Sequence, residues 1–111
     1  MAISINHDMD QGANFSFGIT AKNASGLPMD ISSGYTAYCQ MRRYYSSTDY
    51  TDLMASITGG TGDIIVSLGA TGTASIKQGI YFYDVELHGS DNSVQRLVQG
   101  MITVYPEVTR F

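Results

Sequence analysis

The chain of 111 residues contains no tryptophan, two prolines and one cysteine, and charged residues make up only 14% of it. Each shortage excludes something. One cysteine, Cys39, cannot form an internal disulfide, so a secreted, disulfide-stapled module is not expected. Cys39 sits between Tyr38 and Gln40 in a strand-like run with no partnering base in sight, which reads as a small buried hydrophobe and not as a nucleophile. Six lysines and arginines against ten aspartates and glutamates give a net charge of −4. The one basic pair, Arg42–Arg43, is too small to hold a phosphate backbone or an anionic membrane, so neither nucleic acid nor membrane is an expected partner. No apolar run reaches membrane-spanning length. The N-terminal MAISINHDMDQGANF has neither a basic start nor an apolar core, so no signal peptide is expected and the protein is expected to be made in a cytoplasm.

Apolar residues make up 43% of the chain, enough for the core of one domain. With so little charge, the surface must be built from Ser, Thr, Asn, Gln, Gly and Tyr. Such a surface packs against neighbours at low desolvation cost.

The dominant pattern has a period of two. Phe15, Phe17, Ile19 and Ala21 share a face opposite Ser16 and Thr20. Tyr35, Ala37, Cys39 and Met41 alternate with Thr36, Tyr38, Gln40 and Arg42. Leu53, Ala55 and Ile57 form a third set, and Ile64, Val66 and Leu68 a fourth. IYFYDVELHG turns Tyr81, Tyr83, Val85 and Leu87 inward, and SDNS makes the turn back. Val98, Ile102 and Val104 then face the core, with Gly100 marking a bulge or a close backbone approach, and Pro106 ends the ladder. GATGTASIKQG lacks alternation and predicts a turn or a single helical turn. Seven or eight short strands with glycine-rich turns predict an all-β domain: a single antiparallel β-sandwich over 14–111, immunoglobulin-like, preceded by an N-terminal segment, 1–13, that serves as an assembly arm.

Catalytic chemistry is hard to find. His7, with Asp8 and Asp10, reads as part of a solvated terminal segment, and His88 as the exposed end of a strand. Asp84 and Glu86 read as the outward side of a strand rather than an acid–base pair, with Arg96 able to face one of them across the hairpin. GGTGD and GATGTAS share only glycine content with phosphate-binding loops, and no GxSxG elbow occurs. No catalytic residue, metal site or cofactor is expected. What stands out is a tyrosine-rich loop beside two arginines. Tyr and Arg dominate protein contacts, so Arg42, Arg43, Tyr44, Tyr45 and Tyr50 are the candidate protein interface.

An ordered set of turn and core residues resembles small structural domains of tailed bacteriophages. The set comprises Gly26, Pro28 and Asp30; Gly34, Tyr35, Thr36, Ala37, Met41 and Arg42; Gly79, Tyr81, Tyr83 and Asp84; and Gly100, Thr103, Val104, Pro106, Glu107, Val108 and Thr109. It is similar to small virion proteins of T4-like cyanophages and to immunoglobulin-like domains at the N-terminus of phage baseplate proteins. The resemblance implies a virion context and no catalytic or ligand residue. Multidomain relatives continue beyond this module, whereas this sequence stops at Phe111, so a free-standing adaptor or decoration subunit is expected. The expected location is the virion, at tail, baseplate or neck, with capsid decoration on the head as the alternative. The expected partners are other virion proteins in a symmetric array, copies of itself included. A rival of another class is a carbohydrate-binding module for host attachment, which requires an exposed aromatic face flanked by Asn, Asp or Gln.

Overall fold

The computed structural model describes residues 3–109 apart from 24, 32, 59 and 61. The first two residues of the N-terminal segment and parts of two turns therefore lie outside the described residues. The protein is almost entirely β. Its strands are β1 (Ile3–Ser4), β2 (His7–Asp10), β3 (Phe15–Thr20), β4 (Tyr35–Arg42), β5 (Thr51–Ile57), β6 (Asp63–Leu68), β7 (Gly79–Gly89) and β8 (Val94–Tyr105). One short helix, α1 (Ala70–Ala74), lies between β6 and β7 where alternation fails.

The strands form one curled sheet in the order β1-β8-β7-β4-β5-β6-β3, with β2 also on β8. β5 is the corner. Its first residues pair with β4, as Leu53 does with Cys39, and its last four pair with β6, as Ile57 does with Ile64. The sheet thereby folds over onto itself and encloses one core. Most of the inward sets expected from the alternation lie on that side: Phe15 and Ala21 from β3 and the residue after it, Ala37, Cys39 and Met41 from β4, Leu53 from β5, Ile64 and Val66 from β6, Tyr83, Val85 and Leu87 from β7, and Val98, Ile102 and Val104 from β8. Tyr35, which shares the alternation of Ala37, is the exception: at the start of β4 it is exposed. Ile31, from the irregular MDIS segment, is also buried.

The sheet is not wholly antiparallel, which corrects one expectation. β1 and β2 run parallel to β8 along the edge that β7 leaves free. His7 and its neighbours are therefore not a solvated terminus. Met9 is fully buried, and the His7 ring stacks on Phe17 with centroids 4.0 Å apart. The boundary expected at residue 14 thus has β2 on one side and β3 on the other, both contributing to the same core.

Short polar connections hold the corners. Thr73 of α1 is completely buried, and its Oγ1 donates to the Ala13 carbonyl at 2.8 Å. Gln11 donates from Nε2 to the Ile76 carbonyl, and its Oε1 accepts from the Glu107 amide. The β7–β8 turn contains Asn92 at φ 67°, a conformation that Asn tolerates better than most side chains.

The irregularity in the β7–β8 ladder falls between Val85 and Glu86, where β8 carries an extra residue. That lets two consecutive β8 residues, Leu97 and Val98, both be buried. Gly100 is the site of the close approach instead. The β1 and β2 registers on β8 carry the same offset, but the ladder breaks at Ile5–Asn6. There Asn6 Oδ1 accepts from the Met101 amide at 3.0 Å, and the Ile5 carbonyl accepts from the Tyr83 hydroxyl at 2.6 Å. Only a residue without a side chain leaves room for that carbonyl above position 100.

Candidate interaction face

The outward residues of β4, β7 and β8 form one continuous face. Alternation in β4 turns Tyr38, Gln40 and Arg42 outward because Ala37, Cys39 and Met41 turn inward. β7 contributes Phe82, Asp84, Glu86 and His88 by the same rule. The register sets Tyr38 opposite Glu86, Gln40 opposite Asp84 and Arg42 opposite Phe82. On the other side, Phe82 lies opposite Met101, Asp84 opposite Gln99 and Glu86 opposite Arg96. The 43–50 loop folds back over one end, and the whole forms an open depression of about 580 Å³.

The charges on this face are tied to one another. Arg96 Nε lies 3.2 Å from Asp84 Oδ2, the cross-strand contact expected from the hairpin. His88 Nε2 lies 3.0 Å from Glu86 Oε1, and the His88 ring meets Tyr38 edge-on at 4.7 Å. Partial burial, helped by the Glu86 charge, raises the Asp84 carboxyl above the usual carboxylate value, against the pull of Arg96 and Arg42. Both contacts are substantially solvated, so they orient side chains more than they stabilise the fold.

The structure divides the five candidate interface residues. Arg42 is fixed from three sides: Nη1 donates to the Ser47 carbonyl, Nη2 donates to Gln40 Oε1, and Cζ lies 4.7 Å from the Tyr50 ring centroid. Tyr45 stacks on Phe82 at 4.5 Å, yet remains 82% exposed. These three belong to the face. Tyr44 is exposed at the loop tip. Arg43 turns away, lying 5.4 Å from the Tyr81 ring and donating to the Gln78 carbonyl. Tyr38, Gln40, Phe82, Arg96, Gln99 and Met101 complete the face and were not singled out as interface residues from the sequence. Their signal was there: Tyr38 and Phe82 are aromatic residues at positions the alternation assigns to solvent.

The one thiol is enclosed. Cys39 is 2% exposed, and burial pushes its thiol up to about 12, with Asp84 and Asp52 adding to the effect. Among the described residues no group of three or more His, Cys, Asp and Glu is placed to hold a metal ion. No described helix is long and apolar enough to cross a membrane.

The surroundings of His7 predict a pH-dependent stability. Its Nε2 is buried with no hydrogen-bond partner among the described residues, and the ring lies among Phe15, Phe17 and Tyr83. Burial lowers its pKa from the ordinary 6.5, outweighing the opposite influence of Asp8. Below 6.5 the unfolded chain therefore takes up a proton more readily than the native one, so stability falls as pH drops. The urea midpoint is expected to decrease from pH 7.5 to pH 5.5. In His7→Phe that decrease should shrink. An unaltered pH slope in the variant would assign it to other groups.

No family model matches the sequence, and no curated protein does. Among solved structures the chain is similar to an internalin-like protein of Listeria monocytogenes, lmo2027, with a TM-score of 0.49 and 12% sequence identity. The similarity covers 94% of this chain and 28% of that one, so the chain spans little more than a quarter of that protein's length.

Proposed function

We propose that this protein is a non-enzymatic structural subunit of a tailed-phage particle, an immunoglobulin-like module that docks onto other virion proteins through the β4–β7–β8 face. The observation that carries the reading is Tyr45, 82% exposed while stacked on Phe82, on a sheet face where alternation would place polar residues. Tyr50 and Tyr38, each about half exposed, flank it, and Met101 lies opposite Phe82. An aromatic centre with a rim of Gln, Arg and carboxylate groups is the composition of a protein contact. Arg42 is already held by Ser47, Gln40 and Tyr50, so docking immobilises little that is still free. The virion context rests on the ordered turn and core residues that resemble phage structural domains. Tail, baseplate or neck is the first location and the head surface the second. On a symmetric particle a weak contact per copy is multiplied by avidity.

One observation also favours the rival. Tyr38, Tyr45 and Phe82 are flanked by Gln40, Gln99 and Asp84 around a depression of a size that suits a small ligand. One variant separates the two readings. Tyr45→Ala should reduce incorporation into particles several-fold, while changing folding stability by about 1 kcal/mol or less, since the ring is exposed and loses one stacking partner. Isolated wild-type protein should show no chemical-shift changes on titration with oligosaccharides. Unchanged incorporation would remove the face from the contact, and Tyr45-dependent glycan shifts would favour the attachment reading.

A further inference from the structure

We infer that the free edge of β3 pairs with β3 of a second copy, antiparallel about a two-fold axis at Gly18, and joins two molecules through a continuous sheet. The inference concerns a surface remote from the β4–β7–β8 face and does not depend on the virion reading.

Among the described residues β3 ends the sheet, with β6 as its one ladder partner. Which of its backbone groups are spent on β6 follows from the ladder. The Ala21 amide donates to the Gly62 carbonyl, a pair in register with Ile19–Ile64, Phe17–Val66 and Phe15–Leu68. Antiparallel ladders alternate hydrogen-bonded and non-bonded pairs, so odd-numbered β3 residues bond β6. The other side of β6 agrees. The Thr58 amide donates to the Asp63 carbonyl, which assigns odd-numbered β6 residues to β5 and even-numbered ones to β3. The N–H and C=O groups of Ser16, Gly18 and Thr20 therefore project from the open edge. All three residues are exposed.

Most exposed edges are guarded by charge, proline or a bulge. The opposite edge of this sheet follows that rule, since β2 carries Asp8 and Asp10, both exposed. β3 does not: FSFGIT has no charge and no proline, and its register with β6 is unbroken.

The occupant follows from self-complementarity. Residues directly opposite in an antiparallel pair point to the same side, so a two-fold axis must pass through a residue position and not between two. An axis at Gly18 brings the three edge residues into bonded pairs: Gly18 with its own copy and Ser16 with Thr20 of the partner subunit, twice. Six backbone hydrogen bonds close. Glycine stands where identical residues meet, and Ser faces Thr on the outer side. On the inner side Phe17 and Ile19, which are only partly buried in one chain, come to face each other across the interface. No pair brings like charges together.

The full chain should therefore run in analytical ultracentrifugation as a dimer, twice the 12.0 kDa chain mass. Amide exchange reads the surface directly. In the dimer the Ser16, Gly18 and Thr20 amides should be protected along with those of Phe17 and Ile19. Ser16→Lys/Thr20→Lys puts lysines opposite one another at both ends of the pairing. It should weaken dimerisation by roughly tenfold or more and abolish protection at 16, 18 and 20, while Phe17 and Ile19 keep theirs through β6. A wild-type monomer up to millimolar concentration would overturn the inference. So would a dimer in which the wild-type Ser16, Gly18 and Thr20 amides exchange freely, and that pattern decides even if the variant fails to fold.

Discussion

Tyr83→Ala is expected to destabilise the protein by about 3–5 kcal/mol, the usual cost of emptying a large aromatic site in a core that cannot collapse to fill it. The ring is 4% exposed and lies 5.7 Å from the centroids of both Phe17 and His7, so it fills the space between β2, β3 and β7. Its hydroxyl also has a task. It donates to the Ile5 carbonyl at 2.6 Å, the point where the N-terminal strands leave the β8 ladder. Burial, together with the nearby Cys39, pushes the Tyr83 hydroxyl up to about 12, so it stays protonated and remains a donor through the neutral range. Two variants separate these roles. Tyr83→Phe keeps the ring, leaves the Ile5 carbonyl without that donor, and should cost about 1–3 kcal/mol. Tyr83→Ala should cost that and the cavity as well. Urea denaturation of both gives the two quantities. An alanine variant as stable as the parent would mean that Tyr83 faces solvent and that the faces of β7 are reversed.

How far the sequence reveals the fold depends on whether local pattern or global geometry decides. Alternation is local, and it located β3 to β8 and their inward faces. DIIVSL coincides with β6, Asp63–Leu68, because two glycine-rich stretches bound it and nothing inside competes. The N-terminal strands carry the same signal: Ile3, Ile5, His7 and Met9 alternate with Ser4, Asn6, Asp8 and Asp10. Two aspartates and the terminal position obscure it. The aspartates point to solvent from an edge strand, so they say nothing against a strand there. The corner at β5 was not legible, since the change of partner from β4 to β6 between Leu53 and Met54 is a property of the whole sheet. Nor was the bulge. A non-alternating pair such as Leu97–Val98 shows that one exists, but Gly100 three residues on is the louder local signal, and its actual role is steric. For the face, the loop tyrosines were legible from composition. The joining of Tyr45 to Phe82 across 37 positions was not, because it needs the β4–β7 register.

Gly100→Ala tests that steric role, and the sign of its effect is the informative part. Glycine inside a strand is normally a weak point, and alanine there gains roughly 0.5–1 kcal/mol by restricting the unfolded chain. Here the opposite is expected. A Cβ on residue 100 would collide with the Ile5 carbonyl oxygen, lie 2.9 Å from the Ile5 carbonyl carbon and 3.0 Å from Asn6 Oδ1. Two of those atoms are backbone and cannot rotate away, so the N-terminal strands must move off β8. The loss should be about 1–3 kcal/mol, as for overpacking elsewhere. It should be localised. The Ile5 amide, which donates to the Gln99 carbonyl, and the Met101 amide, which donates to Asn6 Oδ1, should lose exchange protection while the β4–β7 ladder keeps its own. Because Gly100→Ala and Tyr83→Phe both act on the Ile5 carbonyl, their effects should not add. Once the alanine has displaced that carbonyl, the Tyr83 hydroxyl has less left to lose, and the double variant should be more stable than the sum of the single losses implies. Strict additivity would show that the carbonyl over Gly100 and the hydrogen bond from Tyr83 are independent features, and that the glycine is needed for some other reason.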